Sequence, residues 1–264
     1  MGAALALGVA LTPAAAHADD VRHDLAFGSI EGEIALGVAT SASTLFFLLP
    51  QLHSSWGPAM PAPRDPYADD LSDFTGSIGG SMLQLGVGYA LEAGYLELKG
   101  SADPGLYALE AAAVETEALL FASGMTGLIK RLAGRCRPRA YHEGRCTEFD
   151  AFPSGHVSAV SSFAGARLVR AALTPADGAS SLRLASFAFA EAAMVATAYL
   201  RVEAGAHSWD DVLVGAILGH LAGITIALMH PMVPARRVDD PNQLGAPSLG
   251  TGAQAPMFSF GAPF

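Results

Sequence analysis

The chain is short of charge, of cysteine and of basic residues, and each shortage excludes a class of protein. Only 15% of its 264 residues are charged, against roughly a quarter in an ordinary soluble domain. With 51% apolar residues and a mean hydropathy of +0.35, neither a disordered chain nor a coiled coil fits. Acidic residues outnumber basic ones 25 to 15, for a net charge of −10. That balance excludes a nucleic-acid binder, whose affinity rests on lysine and arginine against phosphates. Two cysteines are too few for a disulfide scaffold or a four-cysteine zinc site. No internal repeat is visible, and strand-like alternation is absent until Met257–Phe260. What the chain has in plenty is alanine, leucine and 29 glycines, a composition for close-packed helices in or beside a membrane.

Met1–Ala18 is uncharged and ends in Ala16-His17-Ala18 before Asp19-Asp20. It reads as a secretory signal peptide lacking a basic start, or as a hydrophobic leader that is never cut. The expected organisation is leader 1–18, N-terminal helices and loop 19–104, catalytic core 105–231 and loosely ordered tail 232–264. Six helical stretches are expected: Ile34–Pro50, Phe74–Leu91, Gly105–Ile129, Val157–Leu173, Leu184–Leu200 and Val212–Met229. Their length is that of a bilayer crossing. The fold class is therefore all-α, a membrane-embedded helical bundle of about six core helices. Ile34–Pro50, Phe74–Leu91 and Val212–Met229 are uncharged and clean enough to span. The other three carry Glu110, Glu115, Glu117, Arg167, Arg170 and Glu191, which a bundle interior accepts and a lipid-facing helix resists. Pro58, Pro61, Pro63 and Pro66 exclude a helix from the loop 51–70. His220 reads as a hydrogen-bonded core histidine, Trp56 and Trp209 as interfacial, and Glu115 and Glu117 as facing the basic cluster or a solvated helix end.

In so acidic a chain one dense basic cluster stands out: Lys130, Arg131, Arg135, Arg137, Arg139 and Arg145. It is either a positive-inside anchor or an anion site, with lysine as point charge and arginine as bidentate fork. Downstream, Pro153-Ser154-Gly155-His156 puts free backbone N–H groups and the positive dipole end of a helix beside a histidine able to donate a proton. Alone, Ser-Gly at a helix start is also an ordinary cap. Further on, His207 and Asp211 stand four apart and share a helix face. A carboxylate there would orient the imidazole as in a catalytic triad, with Arg201 just before it to bind the same anion.

Lys130-x6-Arg137-Pro138, then Pro153-Ser154-Gly155-His156, then Arg201-x5-His207-x3-Asp211, resembles the three-part signature of the type 2 phosphatidic acid phosphatase superfamily. That superfamily includes lipid phosphatases, bacterial acid phosphatases and vanadium haloperoxidases. Leu200 departs from the serine usual before the arginine. The resemblance implies that Lys130, Arg137, Arg201, Ser154 and the Gly155 amide bind the phosphoryl oxygens. It implies His207 as nucleophile, Asp211 as its orienter and His156 as acid and then base. No cofactor and no metal is implied.

The leading expectation is a phosphatase acting on a lipid phosphate or pyrophosphate, with membrane lipids as neighbours, at the periplasmic face of a bacterial inner membrane. The alternatives are a periplasmic soluble, broad-specificity acid phosphatase, a vanadium haloperoxidase, and a catalytically silent membrane protein that holds phosphorylated ligands. The sequence does not define the oligomeric state. In an oxidising compartment Cys136 and Cys146 are expected to form a disulfide bracketing the phosphate loop. Arg137 and Arg201 are expected to be irreplaceable by lysine, Arg131 and Arg135 to matter far less.

Overall fold

The computed structural model describes residues 21–23, 34, 37–38, 41–42, 45, 48–54, 65–174, 176–230 and 232–234. The expected leader, the tail beyond residue 234 with Met257–Phe260, and Trp56 lie outside the described residues, as do eight of the seventeen residues 34–50, whose described positions from Ile34 to Leu48 are helical. The elements are β1 (Val21–His23), α1 (Pro66–Thr75), α2 (Ile78–Leu98), α3 (Pro104–Ala133), α4 (Pro138–His142), α5 (Gly155–Leu173), α6 (Ser180–Glu203), α7 (Trp209–Met229) and β2 (Met232–Pro234). β1 and β2 form a small antiparallel ribbon, Arg22 opposite Val233; every other element of size among the described residues is helix, and the fold is all-α.

Local chemistry explains where the helices start. Asp65 accepts from the amides of Tyr67 at 2.9 Å and Ala68 at 3.3 Å, so Pro66 occupies the first helical position, where a missing N–H costs nothing. This corrects the expectation of an unbroken loop over 51–70: three of its prolines precede α1 and the fourth begins it. Phe74–Leu91 is likewise displaced, because Ser77 caps a helix that runs instead from Ile78 to Leu98. Pro104 opens α3, and Gly134, with φ +55°, closes it.

α5 is the hub. Most of its residues are buried, and it packs on α7 at backbone distance. A Cβ on Gly215, Gly219 or Gly223 would lie 2.5, 2.2 and 2.1 Å from the carbonyl oxygens of Ser154, Ser158 and Ser162. Glycine every fourth residue gives α7 a flat face, and only that face lets the two axes come so close.

The charges inside the bundle are paired with one another. Arg167 donates to both oxygens of Glu115, at 3.0 and 2.9 Å, and to Gln84; Arg170 shares Glu115; Arg183 pairs with Glu92. Glu115 thus faces the interior and Glu117 binds His230 at 2.8 Å, so neither meets the Lys130 cluster. His220 is the expected hydrogen-bonded histidine, 2.7 Å from Glu191.

Among the described residues three helical segments, Pro104–His142, Ser180–Glu203 and Trp209–Met229, are long and apolar enough to cross a membrane. Of the three expected to be clean enough, Val212–Met229 is among them, and Ile34–Pro50 is only partly within the described residues. α2 is not one of them; α3 and α6 qualify because the long apolar windows tolerate their few charges.

Candidate active site

Four helix ends meet at one end of the bundle. α3 and α6 deliver Lys130 and Arg201 there in their last turns, and α5 and α7 begin there. Gly134 makes the exit from α3 possible: its φ of +55° is left-handed, and a Cβ would lie 1.9 Å from the Leu52 carbonyl oxygen. The turn carries the chain into Arg135, Cys136 and Arg137, the last standing at the start of α4. Cys136 and Cys146 are joined by a disulfide, Cα atoms 5.8 Å apart, which brackets α4. Ser154 N donates to the Asp211 carbonyl at 2.9 Å, so the start of α5 is pinned to the start of α7.

The three signature cations converge. Lys130, Arg137 and Arg201 all act on the charge of both His207 and His156. Lys130 Nζ donates to the Asp150 carbonyl. Arg137 grips the Asp150 carboxylate through Nε at 2.8 Å and Nη2 at 3.0 Å, with Glu148 at 2.9 Å. Against the burial that would raise it, this guanidinium holds the Asp150 carboxyl down to about 2. Buried Arg201 donates through Nη1 to Ser72 Oγ at 3.2 Å and to Asp73. Its Nε, like Ser154 Oγ, is buried without a hydrogen-bond partner. A buried donor left unpaired costs about 1–3 kcal/mol, so two at one site mark a place for an acceptor that arrives from outside.

His207 is buried, its Nδ1 2.7 Å from the Ala151 carbonyl oxygen. A carbonyl only accepts, so Nδ1 carries the proton and Nε2 keeps its lone pair. Burial, reinforced by Lys130, Arg201 and Arg137, holds the imidazole well below the ordinary histidine value; it is neutral at neutral pH.

Asp211, expected from its spacing to orient His207, lies 3.8 Å from Nδ1. At that distance there is no hydrogen bond. Its carboxylate is taken by the start of its own helix, accepting from Ser208 N and Ser208 Oγ, each at 2.8 Å. It also accepts from Arg135 at 2.7 Å. Arg135, grouped by sequence with the dispensable cations, is 3% exposed, and its backbone carbonyl accepts from Ala151 N at 3.0 Å. Through these two contacts it holds both the Asp211 carboxylate and the residue that fixes His207.

His156, in the first turn of α5, is lowered to about 4 by burial and then by Arg201, with Lys130 and Arg137 adding to it and Asp73 opposing. At neutral pH it is neutral. A phosphoryl dianion set among the three cations would offset their charge and raise it. Among the described residues no group of three or more His, Cys, Asp or Glu is arranged to hold a metal ion.

Sequence spacing did not single out Ala151, Arg135, Ser72, Asp73 or Asp150. Ala151 acts through its backbone, which leaves no mark in side-chain identity. The others are distant in sequence or hidden in a run of like residues. A cavity of about 320 Å³ opens at Lys130 and Arg137, lined also by Gln51, Arg131, Glu148 and Asp150.

No curated protein and no solved structure matches the chain. Residues 113–235, which include every signature residue, match the family model of the PAP2 superfamily, a match that points to phosphatase-type chemistry on phosphoesters.

Proposed function

We propose that the protein hydrolyses a lipid phosphate or pyrophosphate in two steps through a phosphohistidine at His207, without a metal ion. The observation that carries this reading is the pair of unsatisfied buried donors, Ser154 Oγ and Arg201 Nε, beside an imidazole whose proton is committed to Ala151. Three phosphoryl oxygens would replace the missing acceptors, held by Lys130, Arg137, Arg201, Ser154 and the Gly155 amide. His207 Nε2 attacks phosphorus and a P–N bond forms as the P–O bond to the leaving group breaks. His156, charged once the dianion is bound, gives its proton to the departing oxygen. It then takes one from the water that cleaves the P–N bond. Preorganised cations aimed at developing charge supply the stabilisation.

A lipid substrate is supported by the candidate spans α3, α6 and α7. It is also supported by an apolar groove of about 800 Å³ between α6 and α7 that begins at Trp209, two residues from His207. We place the site on the periplasmic side of a bacterial inner membrane, where the Cys136–Cys146 bond would persist. Residues 105–231 are proposed as the catalytic core.

The test is acid-quench trapping with phosphorus-labelled substrate. An adduct that is acid-labile and base-stable, and that is lost in His207→Ala, is expected. Activity that survives His207→Ala and is abolished by chelators would sink the mechanism. Orthovanadate, which adopts five-coordinate geometry, is expected to inhibit.

A further inference from the structure

We infer that α1, which lies outside the family-matched segment, is part of the active site: Asp73 and Ser72 are positioning residues that hold one edge of Arg201 and set the charge of His156. This rests on the phosphatase reading above and adds to it the residues that make its acid work.

The argument begins with one helix face. Asp69, Ser72 and Asp73 stand at i, i+3 and i+4 on α1, and that spacing presents them together. Ser72 Oγ is 3.2 Å from Arg201 Nη1, the Asp73 carboxylate binds the same nitrogen, and Asp69 is 3.5 Å from it. Asp69 also receives Arg139 at 2.6 Å. All three contacts fall on Nη1, and Nε of the same guanidinium has no partner. A planar fork gripped along one edge presents its other edge in a fixed direction. α1 therefore aims Arg201 at the cradle without filling it.

The second contact is with His156. Asp73 Oδ1 lies 3.6 Å from His156 Nε2. Among the described residues, the charged groups that act most on this imidazole are Arg201 from α6, Asp73 from α1, Lys130 from α3 and Arg137 from the start of α4. Asp73 is the one anion among them. Gly76, which ends α1, packs directly against the same side chain: a Cβ there would lie 2.2 Å from His156 Cδ2 and 2.3 Å from its Cβ.

α1 is itself anchored where it must be. Asp65 N donates to the Glu203 carbonyl at 3.0 Å, Ala68 packs on Ala204 and Ala206, and Thr197 Oγ1 meets Thr75 Oγ1 at 2.9 Å. Both ends of the helix are thus tied to α6, which carries Arg201. Asp73 needs no such burial, with 60% of its side chain exposed. An exposed ion pair adds little stability, so this carboxylate is better explained by what it does to Arg201 and His156.

The test uses the full chain in detergent with carbon-13-labelled histidine, the His156 signal being identified by its loss in His156→Gln. In Asp73→Asn the His156 titration midpoint is expected to fall by about one pH unit, the effect of a unit charge at this separation in a wet site. Asp73→Glu should restore most of it. In parallel, Asp73→Asn should slow hydrolysis of an alkyl phosphate at least tenfold and move its alkaline limb down in pH. An aryl phosphate with a good leaving group should be affected far less. Ser72→Ala should raise KM for both esters and leave the limb in place. An unchanged His156 midpoint with unchanged leaving-group dependence overturns the inference. A midpoint that moves in a protein hydrolysing neither ester supports the Asp73–His156 coupling and removes the phosphatase reading alone.

Discussion

His207 is set by a main-chain atom, and this changes what substitutions should do. The Ala151 carbonyl accepts its Nδ1 proton at 2.7 Å, so the attacking tautomer survives loss of the Asp211 charge. Asp211→Asn is expected to lower turnover chiefly by weakening the hold on Arg135, which would keep Asp210 as a partner, and Arg135→Gln should do comparable damage. Breaking one side of a buried ion pair costs about 3–5 kcal/mol. In denaturant titrations each single change should therefore lower stability by that order, and the double change by clearly less than the sum. Strict additivity would show that the pair is not coupled.

The two site histidines also predict a direction with pH. Both have folded-state values below the unfolded 6.5, His156 at about 4 and His207 well below. Between those limits the unfolded chain binds the extra protons. Stability is therefore fully present above pH 6.5 and is lost as pH falls through the window, by about 1.4 kcal/mol per unit for each histidine. Denaturation midpoints should hold steady from pH 8 to pH 7 and decline from pH 6.5 to pH 4. His207→Gln should flatten the decline.

At the scale of elements, the glycine face of α7 against α5 decides whether the site exists. Ser154, which carries an unpaired cradle hydroxyl, sits directly over Gly215. Gly219, one turn deeper, has no room for a Cβ, 2.2 Å from the Ser158 oxygen. Overpacking costs about 1–3 kcal/mol even where side chains can shift, and here the obstacle is backbone. Gly219→Val should lower Tm markedly and reduce activity, although it touches no signature residue. An unaltered Tm would mean that α5 and α7 stand further apart than described.

For the whole molecule, the ends of the chain have a side. α7 runs from the site for 21 residues, about 31 Å at the helical rise, and β2 follows it immediately. Since β1 pairs with β2, residues 21–23 and 232–234 lie together at the end opposite the site. Leu52 N and Ser54 N bond to the carbonyls of Arg131 and Gly134, so the chain has returned to the site end by then. Epitope tags placed before residue 21 and after residue 234 should become protease-accessible together. Cys136 and Cys146 should resist labelling until reduced. Closing a loop of this length stabilises by about 2–3 kcal/mol in the chain-entropy model, so reduction should lower Tm.

The signature was legible because phosphate chemistry needs particular side chains at fixed offsets from helix ends. Lys130, Arg137, Ser154, Gly155, His156, Arg201, His207 and Asp211 could be named on that ground. Helix identity was legible where apolar runs were long, and it failed at α1, where counting prolines hid one at the single position a helix welcomes. Composition likewise determined an all-α, lipid-compatible chain. Only the tertiary structure decided which atom holds His207, which cation serves Asp211 and that α1 reaches the site. Those relations join residues far apart in the chain, or run through backbone atoms that every residue shares. No local pattern encodes them; the packing of α5 on α7 and of α1 on α6 does.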